Sequence, residues 1–245
     1  MPEKTFGVHR ESGAMQSPKG PARAFVVFDL DGTLVDTSQD LTNALNHALR
    51  GAGLAGVTRR QVITLVGEGS RKLVDRAVRS VGGDPALADP VAKDFLDRYR
   101  DHVLDETTPY LGVEDVLTSM ARDRDLCLYS NKPGRHVQAI LEGLGWSRLF
   151  RHVFGGDWGG PRKPAPDGLM ELCSRLGRPC AQGIMVGDGL TDVQAGRAAG
   201  MGTVAVTYGY RSGEDLTGEL PGALCDAPSA LPPLVAVVAQ GRGLL

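Results

Sequence analysis

Uninterrupted apolar runs of strand length alternate along the chain with stretches whose apolar residues recur at helical spacing. The runs are 24–28, 126–129, 183–186 and 203–206, with a weaker one at 152–154. Runs without polar interruption fit strands that are buried on both faces, as in a parallel sheet. Helical spacing lies between them, for example over 137–144 and 169–176. The alternation predicts an α/β fold with a parallel sheet and right-handed crossovers.

One long stretch interrupts this alternation. Between residues 37 and 107 there is no strand pattern, and apolar residues follow helical spacing, as in Leu41, Ala44, Leu45, Ala48 and Leu49. Such spacing gives a helix one apolar face that must be covered. The sequence therefore predicts a helical subdomain inserted after the first strand. The expected organisation is a flexible extension over 1–22, an α/β core over 23–36 and 108–245, and an all-helical cap over 37–107.

Composition narrows the class of protein. Of the 245 residues, 42% are hydrophobic and 23% are charged, which are ordinary globular values and exclude a disordered chain. Lys and Arg total 27 against 29 for Asp and Glu, so the formal net charge is −2. A chain so balanced has no global electrostatic reason to bind nucleic acid or an anionic membrane. No apolar run approaches the roughly 18 residues of a transmembrane helix.

Cysteine usage and the first residues bear on location. The four cysteines form no CxxC pair and no zinc-like cluster with histidine, so they are interpreted as small buried residues in a reducing compartment. The first residues contain no apolar segment of the kind that directs secretion. We therefore expect a cytoplasmic protein without a nucleic-acid or membrane partner, present as a monomer or a homodimer.

The strongest candidate for chemistry directly follows the first predicted strand. Asp29 and Asp31 stand two residues apart, followed by Gly32 and Thr33. Ligands of an open α/β sheet bind beyond the carboxyl ends of its strands. Two carboxylates held there are costly unless a cation neutralises them, and Mg²⁺ is a cation that takes oxygen ligands. Gly32 permits a close backbone approach, and Thr33 offers a hydroxyl and an amide to an anion.

Three further motifs stand at the ends of later predicted elements. Ser130 and Asn131 follow the second strand, where a hydroxyl and an amide suit phosphate oxygens, although a turn or helix cap explains them equally well. Lys163 precedes a helix and supplies a positive point charge. Asp188 is a candidate metal ligand, whereas Asp192 is placed to cap the next helix, to orient Lys163, or both. Together the four motifs indicate a metal and phosphate site.

In order and spacing, these motifs resemble those of the haloacid dehalogenase superfamily of phosphohydrolases. The matching pattern is Asp29-x-Asp31-Gly32-Thr33, then Ser130, Lys163 and Gly187-Asp188-x-x-x-Asp192. The resemblance covers about residues 24–238 and implies a Rossmann-like core with a helical cap. Secondary segments, including 66–69, 99–102, 130–133 and 207–210, resemble the phosphoglycolate phosphatase group within it.

The resemblance implies a mechanism as well as a fold. Asp29 would be the nucleophile that forms an aspartyl-phosphate, and Asp31 the acid that protonates the leaving oxygen and then activates water. Mg²⁺ would be held by the carboxylates of Asp29 and Asp188 and by the main-chain carbonyl of Asp31. Ser130 and Lys163 would bind the transferred phosphoryl oxygens.

The expected substrate is a small phosphate ester, 2-phosphoglycolate above all, hydrolysed to glycolate and phosphate. Gly67, Gly69 and Arg71 lie where the family places its specificity loop, and Arg71 is the candidate cation for the substrate carboxylate, although a solvated helix residue is an equal interpretation. Hinges are expected near Asp36 and Pro109.

Other functions are compatible with these motifs. Another small-molecule phosphatase of the superfamily, a pyrophosphatase or a β-phosphoglucomutase-like mutase has the same catalytic motifs. A non-catalytic phosphate-binding module is the alternative from a different class. The complete set of motif residues argues against that module, because a protein that has lost activity commonly lacks at least one of them.

Overall fold

A computed structural model describes residues 23–211 and 216–243. The predicted extension over 1–22 lies outside the described residues. The main sheet has six parallel strands in the order β5-β4-β1-β6-β7-β8. These strands are β1 (Phe25–Phe28), β4 (Leu126–Tyr129), β5 (His152–Phe154), β6 (Gly183–Gly187), β7 (Gly202–Val206) and β8 (Ala223–Cys225). The α/β parallel-sheet prediction is confirmed.

Helices pack on the sheet, and other helices make up the inserted segment. The helices after the insert are α5 (Val113–Met120), α6 (Gly134–Gly143), α7 (Asp167–Leu176), α8 (Leu190–Ala198) and α9 (Leu231–Gln240). Two buried clusters flank the strands, since Val26 and Phe28 of β1 belong to one and Phe25 and Val27 to the other. Each β1 side chain is therefore buried, which explains why this strand has no polar position.

The inserted segment is a bundle of four helices. They are α1 (Ser38–Gly51), α2 (Arg59–Leu65), α3 (Ser70–Ser80) and α4 (Ala88–Asp101). Leu45, Leu49 and Val78 are completely buried in the cluster that also contains Phe95 and Tyr99 of α4. Thr58 caps α2 reciprocally with Gln61 by accepting a hydrogen bond from its amide and donating its own amide to the Gln61 side chain.

A short antiparallel ribbon joins the insert to the core. Its strands are β2 (Val35–Asp36) and β3 (Thr108–Pro109), with Val35 opposite Pro109. The chain therefore leaves and re-enters the core at paired positions, which are those expected for the hinges. With two residues each, the strands leave no periodic pattern in the sequence, and the three-residue β8 escaped prediction for the same reason.

Asp40 fastens the far end of the insert to its first helix. Its buried carboxylate accepts hydrogen bonds from the amide of Glu106 at 2.9 and 3.0 Å, and from the amide and hydroxyl of Thr107 at 2.9 and 2.8 Å. These bonds satisfy backbone donors that burial would otherwise leave unpaired. In the described part of the chain, no helix has the length and apolarity needed to cross a membrane.

Candidate active site

The carboxyl ends of three adjacent strands bring the predicted motifs together. β1 lies between β4 and β6, so the loops that begin at Asp29, Ser130 and Asp188 meet at one edge of the sheet. All three residues line a cavity of about 200 Å³ between the core and the insert. The topology places at one point groups that are far apart in the sequence, as expected for a ligand site in an open α/β sheet.

Lys163 is a buried cation beside the cavity-lining Asp29. Its ammonium donates to the Asp192 carboxylate at 2.6 Å and to the main-chain carbonyl of Tyr129 at 2.8 Å, and its Nζ lies 3.0 Å from Asp29 Oδ1. Burial disfavours its charge, but Asp192 and Asp29 outweigh that effect and raise the pKa of Lys163 above its ordinary value. Lys163 therefore stays positively charged between two carboxylates.

Asp192 has two contacts that fix its position. One carboxylate oxygen accepts from Lys163, and the other accepts the amide of Gly189 at 3.0 Å, at the start of α8. The side chain is therefore both a helix cap and the partner that orients Lys163.

Three carboxylates converge beside Lys163. One oxygen from each of Asp29, Asp188 and Asp192 lies within 4.8 Å of the others, and all three residues are buried or nearly so. Burial, offset in part by Lys163, raises the pKa of Asp29 to about 6. Burial and the neighbouring Asp192 and Asp29 raise the pKa of Asp188 well above its ordinary value. One lysine does not compensate this much negative charge.

The donor set fits a hard divalent cation. Asp29 Oδ1 is buried and makes no well-aligned hydrogen bond, which leaves an oxygen lone pair free to coordinate. Carboxylate oxygens are the ligands that Mg²⁺ prefers, and a second positive charge would relieve the repulsion among these groups. The acidic group is therefore one that could hold a metal ion.

Two hydrogen bonds hold the Asp188 carboxylate in place. Its carboxylate accepts the amide of Tyr210 at 2.9 Å and the Thr33 hydroxyl at 3.5 Å. Gly32 has a φ of +79°, and a Cβ on it would overlap the Asp188 carboxylate. The hydroxyl of Thr33 is completely buried and directed at Asp188, and its amide donates to the Leu30 carbonyl at 3.2 Å, so both groups expected to meet an anion are engaged within the protein.

Asp31 also lines the cavity and has partners of its own. Its carboxylate accepts hydrogen bonds from the ammonium of Lys132 at 2.8 and 3.1 Å and from the Thr37 hydroxyl at 2.6 Å. Thr37 precedes α1 but makes no side-chain cap with that helix, because its hydroxyl is engaged by Asp31. The two carboxylates of the first motif therefore have separate cations, Lys163 for Asp29 and Lys132 for Asp31.

Ser130 and Asn131 differ in what they can offer a phosphate. Ser130 lines the cavity, and its hydroxyl accepts only a long bond of 3.3 Å from the Lys132 amide. The Asn131 side chain is fully engaged: it donates to the carbonyls of Gly67 and Lys163 and accepts the Lys163 amide. Asn131 thus ties the insert to the Lys163 loop, and its side-chain amide is not free for a phosphate oxygen.

The structure separates the three specificity-loop residues predicted from the sequence. Gly67 and Gly69 line the cavity with φ values of +123° and +91°. Arg71 does not line it: its side chain is 54% exposed and forms an ion pair with Asp89. The reason is helical phase, because α3 begins at Ser70 and turns Arg71 away from the face that buries Leu73.

Several cavity residues were not singled out for the site by sequence. They are Tyr99, Lys132, His136, Tyr210 and Arg211. Lys132 stands next to Ser130 and Asn131, and Tyr99 and Tyr210 lie in segments that carry the family resemblance, so position gave a signal. Their types did not, because a lone tyrosine or lysine is more often a core or surface residue.

The parallel sheet, the helical insert after its first strand and the aspartate–lysine site define a class of phosphate-processing hydrolase. A family model described as haloacid dehalogenase-like hydrolase matches residues 26–206. The chain belongs to this family and is a phosphoric monoester hydrolase that resembles phosphoglycolate phosphatases. The predicted family, fold and enzyme class are therefore confirmed.

Individual relatives agree with this assignment. The chain is 36% identical over 238 residues to a phosphoglycolate phosphatase of Pseudomonas putida, which covers 94% of this chain and 86% of the relative. It is 35% identical to an N-acetylmuramic acid 6-phosphate phosphatase of Pseudomonas aeruginosa over 78% of this chain and 84% of that protein. The crystal structure of a predicted phosphoglycolate phosphatase from Haemophilus somnus superposes with a TM-score of 0.80 at 29% identity, covering 86% and 97% of the two chains.

Proposed function

We propose that this protein is a Mg²⁺-dependent phosphatase that hydrolyses 2-phosphoglycolate to glycolate and phosphate through an aspartyl-phosphate. The observation that carries the proposal is the placement of the cavity-lining Asp29 beside both Lys163 and Asp188. The relatives named phosphoglycolate phosphatase support the substrate, since they align with most of the chain.

Asp29 is the proposed nucleophile. Its carboxylate lines the cavity, and Oδ1 makes no well-aligned hydrogen bond. Attack on phosphorus forms the aspartyl oxygen–phosphorus bond and breaks the bond to the ester oxygen, which splits hydrolysis into two easier steps. Lys163, 3.0 Å away, keeps the carboxylate in place.

Asp31 is the proposed acid and base. It lines the same cavity as Asp29, and Thr37 and Lys132 fix its carboxylate. It gives a proton to the ester oxygen as the first bond breaks, and takes one from the water that cleaves the aspartyl-phosphate.

Donors for the transferred phosphoryl group surround Asp29. We assign this role to the Ser130 hydroxyl and the Lys163 ammonium. Charge spreads over the phosphoryl oxygens in the transition state, so fixed donors stabilise it more than the substrate. Removal of one such donor typically raises the barrier by about 2.7–4 kcal/mol.

The residues that would hold Mg²⁺ are Asp29 and Asp188, with the main-chain carbonyl of Asp31 assigned by family resemblance. Asp192 lies within the same acidic group but is engaged by Lys163. When bound, Mg²⁺ supplies positive charge to the phosphoryl oxygens. It would also neutralise the negative charges of the Asp29 and Asp188 carboxylates when no substrate is bound.

The four-helix insert over 37–107 is the proposed cap domain, and the β2–β3 ribbon is its proposed hinge. Two contacts across the cavity support this assignment: Asn131 donates to the Gly67 carbonyl, and Arg211 donates to the Val66 carbonyl at 2.7 Å. Such contacts hold the cap in place and can break when it opens. The cytoplasmic location and the monomeric or homodimeric state stay predictions.

A substrate panel tests the proposed function. Purified protein with Mg²⁺ is assayed for phosphate release from 2-phosphoglycolate, N-acetylmuramic acid 6-phosphate, pyrophosphate and hexose phosphates, with Asp29→Asn as the matched control. We expect kcat/KM to be highest for 2-phosphoglycolate, with activity lost in EDTA and in the variant. A preference for another ester would replace the substrate, and isomerisation of a sugar phosphate without phosphate release would indicate a mutase.

A further inference from the structure

Two buried polar side chains on the cavity wall have no contact with the substrate in the chemistry assigned above. Lys132 follows β4, and Tyr99 lies on α4 of the cap. Both line the cavity, with 6% of Lys132 and 1% of Tyr99 exposed. They come from opposite sides of the cap–core boundary and meet beside Asp31.

Lys132 is a buried charged group with two close neighbours. Its Nζ lies 2.8 Å from Asp31 Oδ1 and 4.7 Å above the centre of the Tyr99 ring. Burial disfavours the charge, but Asp31 outweighs that effect and raises the pKa of Lys132 above its ordinary value. The ammonium has three N–H groups, and Asp31 accounts for at most two of them.

Tyr99 contributes a hydroxyl without an acceptor. Its Oη is buried beside the Lys132 ammonium, and no acceptor for its proton lies among the described residues. Burial raises the pKa of Tyr99 to about 12, so the hydroxyl keeps its proton and remains a donor. Buried hydroxyls are nearly always satisfied, and one left open in a ligand cavity points to an acceptor that arrives with the ligand.

The neighbouring His136 leaves the positive charge to Lys132. Its ring meets the Tyr99 ring edge-on, with centroids 5.0 Å apart. Burial, with Lys132, Arg135 and Arg100 nearby, lowers the pKa of His136 to about 3, so the imidazole is neutral at physiological pH. The wall therefore offers one ammonium and one hydroxyl donor to an incoming acceptor.

We propose that Lys132 and Tyr99 form the subsite for the carboxylate of the leaving group. This inference rests on the proposed function, in which Asp31 protonates the ester oxygen and therefore lies within about 3 Å of it. In 2-phosphoglycolate a single methylene separates that oxygen from the carboxylate. An ammonium in contact with Asp31 is thus within reach of the carboxylate, and a charge-assisted hydrogen bond can form without moving Asp31.

The subsite replaces Arg71 as the determinant of carboxylate recognition. Arg71 is paired with Asp89 on an exposed surface, whereas Lys132 is desolvated inside the cavity, where its charge acts more strongly. An ester with an uncharged leaving group would leave the Tyr99 hydroxyl unpaired. The wall therefore selects against such esters as well as for a carboxylate.

The test compares 2-phosphoglycolate with ethyl phosphate, which has the same ester oxygen and carbon chain length but a methyl group in place of the carboxylate. Tyr99→Phe removes only the hydroxyl, and Lys132→Met removes the charge with little change in length. Lys93→Met, an exposed change on the helix that holds Tyr99, is the matched control. Competitive inhibition by orthophosphate reports whether the phosphoryl site is intact.

We expect Tyr99→Phe to lower kcat/KM for 2-phosphoglycolate by roughly 10- to 100-fold, the effect of one hydrogen bond to a charged group. The same change should not lower kcat/KM for ethyl phosphate, because that ester leaves the Tyr99 hydroxyl unpaired in the wild type. Lys132→Met also disturbs Asp31 and can therefore slow both esters. The ratio of kcat/KM for 2-phosphoglycolate to kcat/KM for ethyl phosphate should still fall by at least roughly 10-fold. Orthophosphate inhibition of Tyr99→Phe and all parameters of Lys93→Met should match the wild type.

Different failures have different signatures. Equal losses on both esters in Tyr99→Phe, or an unchanged ratio in Lys132→Met, would overturn the subsite and leave the proposed function standing. Loss of carboxylate preference in Arg71→Met alone would return the role to that residue and also overturn it. A wild type that prefers another ester with a carboxylate at the same distance, with that preference lost in the variants, would overturn 2-phosphoglycolate as substrate and support the subsite.

Discussion

Replacement of Lys163 by methionine tests the electrostatic core of the site. The variant keeps the length of the side chain and removes the ammonium that lies between Asp29 and Asp192. Lys163 and Asp192 are almost completely inaccessible to solvent, so water cannot replace the lost charge beside Asp192. The three neighbouring carboxylates, within 4.8 Å of one another, are then left without a protein cation.

The magnitude follows from breaking a buried pair. Removal of one partner of such a pair costs about 3–5 kcal/mol of stability, because the other charge remains buried without compensation. We therefore expect Lys163→Met to lower the free energy of unfolding in EDTA by that amount. Bound Mg²⁺ would supply replacement positive charge, so the loss should be smaller at saturating Mg²⁺, while kcat stays reduced by about 10²–10³ because a phosphoryl donor is gone.

The assay is urea unfolding at pH 7.5, with EDTA and with saturating Mg²⁺, for the wild type, Lys163→Met, Asp192→Asn and the double variant. Contact between the two side chains predicts that the double variant in EDTA is more stable than the sum of the single losses, by at least about 1 kcal/mol. Additive losses to within about 0.5 kcal/mol, or a Lys163→Met loss that does not change with Mg²⁺, would refute this reasoning.

Three other variants test separate parts of the molecule. Asp40→Ala leaves the Glu106 and Thr107 amides unpaired at the closure of the cap, so its urea unfolding at pH 7 should show a loss of about 2–4 kcal/mol, and a loss below about 1 kcal/mol would contradict the anchoring role. His136 has its pKa lowered to about 3 in the fold, chiefly by burial, whereas the unfolded chain takes up a proton near pH 6.5; stability therefore falls as pH drops below that value. Between pH 7 and 5 this group should remove about 2 kcal/mol, and His136→Gln should lose that part of the pH dependence of unfolding; equal slopes would contradict it. A Cβ at Gly209 would overlap the Gly32 carbonyl and the Asp188 side chain, so Gly209→Ala should raise the Mg²⁺ concentration for half-maximal phosphate release by about tenfold or more, and an unchanged Mg²⁺ titration would show that the contact is unimportant.

The main sheet and the catalytic motifs were predictable because each depends on local sequence. β1 is uninterrupted by polar residues since both of its faces are buried, and Asp29 follows directly. Once the strands are parallel, their carboxyl ends must share one edge of the sheet. The meeting of Asp29 with Asp188 therefore follows from the sequence pattern and the topology together.

The partners of these motif residues were less predictable, because they depend on how the cap and the loops pack. Lys132 belongs to a segment that resembles the family, but the sequence does not show its contacts. Asp31 is 101 positions away along the chain, and Tyr99, whose ring lies under the ammonium, is 33 positions away. Asn131 has the side chain expected for a phosphate ligand, yet the neighbouring carbonyls of Gly67 and Lys163 occupy its donors. Arg71 lies outside the cavity because the first residue of α3 determines which side chains of that helix face inward. The sequence after Gly69 does not define that first residue closely enough.

The central claim is that hydrolysis passes through a phosphorylated Asp29, and trapping that species tests it most directly. Wild-type protein is mixed with 2-[³²P]phosphoglycolate and Mg²⁺, quenched with acid within milliseconds, and digested for peptide mapping. We expect acid-stable, hydroxylamine-sensitive label on the peptide that contains Asp29, and none in Asp29→Asn. Rapid phosphate release with no labelled protein, or label on a peptide that lacks Asp29, would contradict it.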